Sequence, residues 1–376
     1  MKSLKSKTFI SLLIPLGAVT LALMIGAIML LSLGANPLSG YATMFTAAFG
    51  SLEGFSETTV KSIPLLLVGV GICIAFRANV INIGGEGQMV MGALLATAVA
   101  LAFPNFPSFM LIPMVLMAGA IGGAFWGAIA GALKAYFNVS EILSTIMLNI
   151  VAVQFMNFLL RGPMIDPAEI ERGTGIPQTM RLSENADLPI LMEGMRMHLG
   201  VLVALLVAVG AYFLLWRTAI GFRIRSVGYN PDASRYAGIS VPKNVTSALA
   251  FSGAMAGIAG AILVFGSESH RMVTDGGSTG FTGSAGFNGI VVALLAGLHP
   301  LWSVPSALLF GGMLVGANAL QRAAQVPSAL IIALNGLIVV FVVSSEYFKQ
   351  RYALAGRVEE PDGDNDVTVT EGENNE

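Results

Sequence analysis

Apolar runs of about eighteen residues or more recur along the whole chain, each long enough to cross a bilayer as a helix. Only 11 % of the 376 residues are Asp, Glu, Lys or Arg, and 55 % are hydrophobic. A soluble domain carries about 25 % charged residues, so a soluble globule is excluded and an all-α, polytopic membrane protein is expected. Glycine (44 residues) and proline (16) are frequent within these runs, which points to close helix packing and to broken helices. The lone cysteine, Cys73, rules out a disulfide framework or a thiolate metal cluster. The three histidines, His198, His270 and His299, lie far apart without metal-ligand spacing.

The formal net charge of −2 conceals two unlike parts. Residues 358–376 hold eight acidic residues and no basic one, so the remainder is a basic membrane body. The composition of that tail predicts a disordered, solvated segment. At the other end, "MKSLKSK" precedes an apolar stretch from Phe9 to Leu33, longer than the core of a cleaved signal. It is read as a retained first span.

Ten spans are expected: Phe9–Leu33, Ser62–Phe76, Met89–Phe103, Phe109–Leu133, Ile142–Leu160, His198–Trp216, Val245–Phe265, Gly286–Leu298, Leu301–Leu320 and Pro327–Phe341. With the N-terminus inside, thirteen basic residues fall on the cytoplasmic side and seven outside. That imbalance predicts two cytoplasmic termini and an external Arg161–Met197 loop. Residues 1–61 then form an N-terminal span and external loop, 62–357 the membrane domain, and 358–376 a cytoplasmic tail. An internal echo accompanies this order. "NIGGEGQMVMGALLATAVALAFPNFPS" and "GSAGFNGIVVALLAGLHPLWS" both lead from a Gly-rich polar entry into an Ala/Leu/Val run and a Pro-containing break. They lie about five spans apart, which predicts two inverted five-helix repeats, an architecture of many transporters.

The first of these echoes belongs to the stretch "FRANVINIGGEGQMVMGALL", which sets Arg77, Asn79, Asn82, Glu86 and Gln88 between two apolar runs. Each glycine there costs about 1 kcal/mol relative to alanine in a helix, and an ionised Glu86 facing lipid would cost several more. Two placements satisfy the backbone: a turn at the cytoplasmic face, or a broken helix lining a water-filled path. In either, the following helix directs its free N–H groups towards Glu86 or a polar ligand. Glu86 is therefore read equally as a cap of that helix and as part of a solute path. Asn149, Gln154 and Asn157, on one side of the fifth span, form a second polar stripe that suits either helix contact or a path.

A third feature faces away from the membrane. In "RTAIGFRIRSVGYNPDASRYAGISVPK", Asn230 suits an N-cap, Pro231 the first helical position, Asp232 the dipole and Gly238 the C-terminal stop. A helix this short is marginal on its own and is expected to pack against a neighbour. The chain has no G-x-x-x-x-G-K-[ST] phosphate loop and no array of carboxylates and histidines within its spans for a proton relay. A motor on a separate chain is the simplest source of energy for such a transporter.

"FRANVINIGGEGQMVMGAL", "SEILSTIMLNIVAVQFMNFLLRGP", "GYNPDASRYAGI" and "GFNGIVVALLAGLHP" together resemble the permease subunits of nucleoside-type ABC importers, in the ribose and branched-chain amino acid permease superfamily. The resemblance runs from about Ser62 to Tyr347. It implies a bacterial plasma (inner) membrane protein that is not itself an enzyme and needs no cofactor. Its implied partners are an ABC ATPase, a second permease subunit, an extracytoplasmic lipoprotein that binds the solute, and a nucleoside. On this resemblance Asn230, Pro231, Asp232, Arg235 and Gly238 form the helix that docks on the ATPase. Asn79, Asn82, Glu86, Gln88 and Asn149 are the candidates for the polar path. A simple-sugar permease, and an ion-coupled carrier using Glu86, stand as alternatives.

Overall fold

The computed structural model describes residues 17, 20–21, 23–32, 34–267, 269–277 and 279–325, and beyond them only 333, 336–337, 340–341 and 344. The acidic tail and nearly all of the expected Pro327–Phe341 span lie outside the described residues. Within them the regular elements are all helical: α1 (Leu23–Ser32), α2 (Pro37–Phe49), α3 (Leu52–Arg77), α4 (Gly85–Ala102), α5 (Ser108–Phe137), α6 (Glu141–Arg161) and α7 (Pro167–Glu171). There follow α8 (Gly200–Arg217), α9 (Ala219–Tyr229), α10 (Pro231–Tyr236), α11 (Val241–Phe265), α12 (Thr279–Thr282), α13 (Ala285–Leu295) and α14 (Ser303–Ala324).

Seven of these helices, α3, α4, α5, α6, α8, α11 and α14, are long and apolar enough to cross a membrane. The pair α1 and α2, bent by 117°, makes an eighth if it counts as one span. Two expectations need correction here. The span expected from Ser62 begins at Leu52 instead. Ser51 caps it, its side chain accepting the Gly54 N–H, and the charged residues Glu53, Glu57 and Lys61 ride on its first turns. The expected Gly286–Leu298 span is an 11-residue helix, α13. At 1.5 Å per residue it is about 16 Å long, roughly half the hydrocarbon thickness. It ends in a tight turn, with Gly297 at φ 60° and Leu298 at φ 56°.

α3 is the central helix. Every residue from Ser62 to Ala75 is buried, so no face of this stretch reaches the surface. This helix packs against α11, α14, α13 and α8, and α11 in turn packs against α5 and α4 through small residues. Gly119, Gly123 and Gly127 recur every fourth position on α5 and meet Ala261, Gly257, Gly253 and Leu249 on α11. A methyl group placed on Gly123 would stand 2.7 Å from the Gly257 Cα. The two backbones are in contact, the arrangement that glycine repeats permit in membranes.

The loop before α8 is hydrogen-bonded to the end of α11 and to the chain that follows it. Thr179 N–H donates to the Met272 carbonyl (3.0 Å), Leu182 N–H to His270 (2.7 Å) and Leu188 N–H to Phe265 (3.0 Å). His198, buried, accepts the Gly200 N–H on Nδ1 at 3.1 Å and so caps the entry to α8. Burial lowers its pKa below the usual histidine value and favours the neutral ring that this role requires.

Candidate functional site

The site begins where α3 ends. Asn79 takes a left-handed conformation (φ 56°), and the Val80 N–H reaches back to the Ala75 carbonyl at 3.2 Å. This is a helix stop with asparagine in the place glycine usually holds. From there the chain runs back along α3 towards its middle. Asn82 donates to Ser252 Oγ at 2.8 Å, and Ser252 packs on Gly71, six residues before the end of α3. α4 then starts with Gly85 wedged between Val68 and Gly286. Val68 lies about 14 Å along α3 from its last residue. The chain thus turns at the exposed Asn79 and re-enters the helical body before α4 begins.

Three glycines open α4 despite their poor helix propensity because tertiary contacts require them. Gly85 meets the backbone of Gly286, and Gly87 meets that of Asn149. The N-cap position is Gly84, which has no side chain to cap with. Asn149, on α6, does the work from outside: its Oδ1 accepts the Gly87 N–H at 2.8 Å, and its Nδ2 donates to the Ile83 carbonyl at 3.0 Å. Asn82 and Gln88 close the lock. Asn82 Nδ2 donates to Gln88 Oε1 (2.9 Å), Gln88 Nε2 donates to Asn82 Oδ1 (3.2 Å), and the same Oδ1 accepts the Gly84 N–H (2.9 Å). Asn82, Glu86 and Gln88 are each 1 % exposed.

Glu86 caps a helix, but not its own. Its Oε1 accepts the Gly286 N–H at 2.8 Å and the Phe287 N–H at 3.3 Å, and its Oε2 accepts the Thr282 hydroxyl. Those two amides are among the first of α13, whose local cap, Ser284, is left-handed (φ 61°) and makes no side-chain cap bond. Helix N-termini carry a partial positive charge. The carboxylate, itself in the first turn of α4 and bonded to the first turn of α13, complements both.

Beside Glu86 a cleft of about 240 Å³ opens. Glu86 and Phe287 form one wall, and Ile146, Asn149, Ile150, Val153 and Gln154 form the other. Those five positions follow helical i, i+3, i+4 spacing and lie on a single face of α6. Of the polar stripe on the fifth span, Asn149 and Gln154 thus reach the cleft, and Asn157 does not. Asn157 accepts from Thr274 (2.9 Å) and donates to the Gly276 carbonyl (3.0 Å), anchoring the 266–284 segment. The structure brings Asn82, Glu86, Gln88 and Asn149 together and leaves Asn79 apart. Thr282 and Phe287 carried no signal in the sequence, because each meets Glu86 from about two hundred positions away.

α10 has the form its sequence implies. Asn230 Oδ1 accepts the Ala233 N–H at 2.9 Å, Pro231 occupies the first turn, and Gly238 turns left-handed at φ 78°. Ser234 is buried, whereas Asp232, Arg235 and Tyr236 point outward, the last 95 % exposed. The preceding α9 is seated on the end of α3, with Gly228 against the Arg77 carbonyl. The Arg77 guanidinium donates to the Leu298 carbonyl (3.1 Å) and stands 5.2 Å over the Trp216 ring, with Arg225 at 5.9 Å from the same ring.

A polytopic bundle in which two helices begin inside the body, beside a cleft, is built for moving a solute, since irregular backbone at that depth survives only against protein or water. The family model described as "Branched-chain amino acid transport system / permease component" matches residues 54–343. The chain belongs to that family and is a transport subunit, not an enzyme. It is 37 % identical to a guanosine ABC transporter permease protein of Bacillus subtilis over 339 residues, 89 % of this chain and 93 % of the relative. A glucose ABC transporter permease protein of Haloferax volcanii is 33 % identical (89 % and 88 % covered). A nucleoside ABC transporter permease protein of Lactococcus lactis is 32 % identical (88 % and 90 %). No solved structure matches the chain.

Proposed function

We propose that this chain is a transmembrane subunit of an ATP-driven importer for nucleosides, with its solute path at the Glu86 cleft and its ATPase contact at α10. The observation that carries the substrate class is the full-length similarity to the guanosine and nucleoside permeases. A separate ABC ATPase, a second permease subunit and an extracytoplasmic lipoprotein that binds the solute complete the assembly in the bacterial plasma membrane. The exposed, independently capped α10 supports the docking role of Asn230–Gly238, because among the described residues its outward Asp232 and Arg235 pair only with each other. Asn82, Gln88 and Asn149 act in this reading by holding the mouth of α4 in place, and Glu86 by holding that of α13.

The charge distribution supports cytoplasmic termini and an external 161–197 loop. Ten helices in two inverted repeats fit the meeting of Gly85 with Gly286, since these glycines occupy matching places in the two echoing segments. A simple-sugar solute is the second reading, favoured by the glucose permease relative.

Purification in mild detergent is expected to bring down an ABC ATPase and a second permease. Cells lacking other carriers are expected to take up labelled guanosine or uridine through the complex, whether or not the ion gradient is collapsed. Uptake of glucose or ribose alone would remove the nucleoside assignment, and transport by the isolated chain without nucleotide would remove the subunit reading. A reporter joined after Glu376 should face the cytoplasm, and one within residues 161–197 the exterior; the reverse pattern would overturn the orientation.

A further inference from the structure

We infer that solute discrimination within the path lies with Gln154 and Phe287, and not with the buried carboxamides that crowd the same site. The inference rests on the importer reading above and follows from how the polar atoms of the cleft are occupied. Asn149 uses its carbonyl oxygen on the Gly87 N–H and its amino group on the Ile83 carbonyl. Glu86 gives both oxygens to Thr282 and the first amides of α13. Asn82 and Gln88 are bonded to each other, and neither lines the cleft. Exchanging any of these bonds for one to a solute would unlatch a helix end, leaving buried amides unpaired at a cost exceeding what one solute contact returns.

Gln154 differs from all of them. It lines the cleft, its side chain is exposed, and it makes no hydrogen bond among the described residues. Its carboxamide offers one acceptor and a two-hydrogen donor, the complement of the donor–acceptor edge of a nucleobase. On the opposite wall Phe287 presents a ring that is 46 % exposed, on a backbone fixed by the Glu86 carboxylate. An exposed aromatic face stacks on any base with little regard to its identity, whereas a carboxamide distinguishes one edge from another. Phe287 therefore sets the class, a flat heteroaromatic solute, and Gln154 sets preference within it. Ile146, Ile150 and Val153 supply the apolar remainder.

The test uses the complete importer with its binding protein, with every solute at saturation so that delivery is not limiting. Maximal uptake rates are measured for guanosine, adenosine and uridine in wild type, Gln154→Leu and Phe287→Leu. Gln154→Leu should change the ratio of guanosine to uridine rates about five- to tenfold, the size of one hydrogen bond, while the melting temperature stays at the wild-type value. Phe287→Leu should slow all three nucleosides, and Phe287→Tyr should restore them. Unchanged ratios in Gln154→Leu, or an equal fall for every solute, would overturn the assignment. Failure of the importer reading itself shows separately, as a wild-type complex that transports none of the three.

Discussion

Gly257→Val is expected to leave almost no folded protein. A side chain at 257 would press on the carbonyl oxygen of Gly119 and come within 3.0 Å of the Gly123 Cα. Backbone atoms of a packed helix cannot turn aside as a flexible side chain can, so α5 and α11 would have to separate. Overpacking a core costs about 1–3 kcal/mol where side chains can adjust, and here the cost should lie at or above the upper end of that range. The separation would also spread to α4, because Gly92 packs on the same Gly257. Gly210→Val is the control. Gly210 lies on the membrane-length α8, yet a methyl group there would meet nothing within 4 Å among the described residues. Size-exclusion profiles in mild detergent should show aggregation for Gly257→Val and a wild-type peak for Gly210→Val. A monodisperse Gly257→Val protein with unchanged melting would show that the α5–α11 contact is looser than described.

How much of this could be read from the chain alone depended on the range of the forces involved. α10 was legible residue by residue because its determinants are local: an asparagine cap, a proline, an acid in the first turn and a left-handed glycine all fall within nine residues. The start of α3 was misplaced because hydropathy begins at Ser62, whereas the helix begins at a serine cap eleven positions earlier and carries charges on its first turns. α13 was drawn too long because apolar character continues through Leu298, past the turn that ends the helix. The polar break between α3 and α4 was visible as an anomaly, and the residues gathered there were largely named in advance. Their division of labour was not. Whether Asn149 touches solute or latches α4 depends on what lies opposite, 62 residues away. The glycines of α4 read as a weak helix for the same reason: propensity is a local quantity, and the close approach of Gly286 and Asn149 is not.

Glu86 gives the second large effect, and it separates a cap from a mere lining residue. Glu86→Ala removes the acceptor of three donors at once, the amides of Gly286 and Phe287 and the hydroxyl of Thr282. Buried donors left without partners cost about 1–3 kcal/mol, and no local residue replaces the cap, since Ser284 makes no side-chain bond to α13. The N-terminus of α13 should therefore loosen beside the cleft, lowering the melting temperature by several degrees and uptake more than tenfold. Glu86→Gln keeps the shape and one carbonyl oxygen for the two amides. Its other terminal atom becomes a donor, which obliges the Thr282 hydroxyl to accept instead. This variant should melt close to wild type and transport at an intermediate rate, because the anion that complements the two helix ends is gone. Both variants should still copurify with the ATPase, for α10 is built and capped elsewhere in the chain. If Glu86→Ala melts like wild type, the carboxylate does not hold α13. If either variant folds but loses the ATPase, the proposed division of roles between the cleft and α10 is wrong.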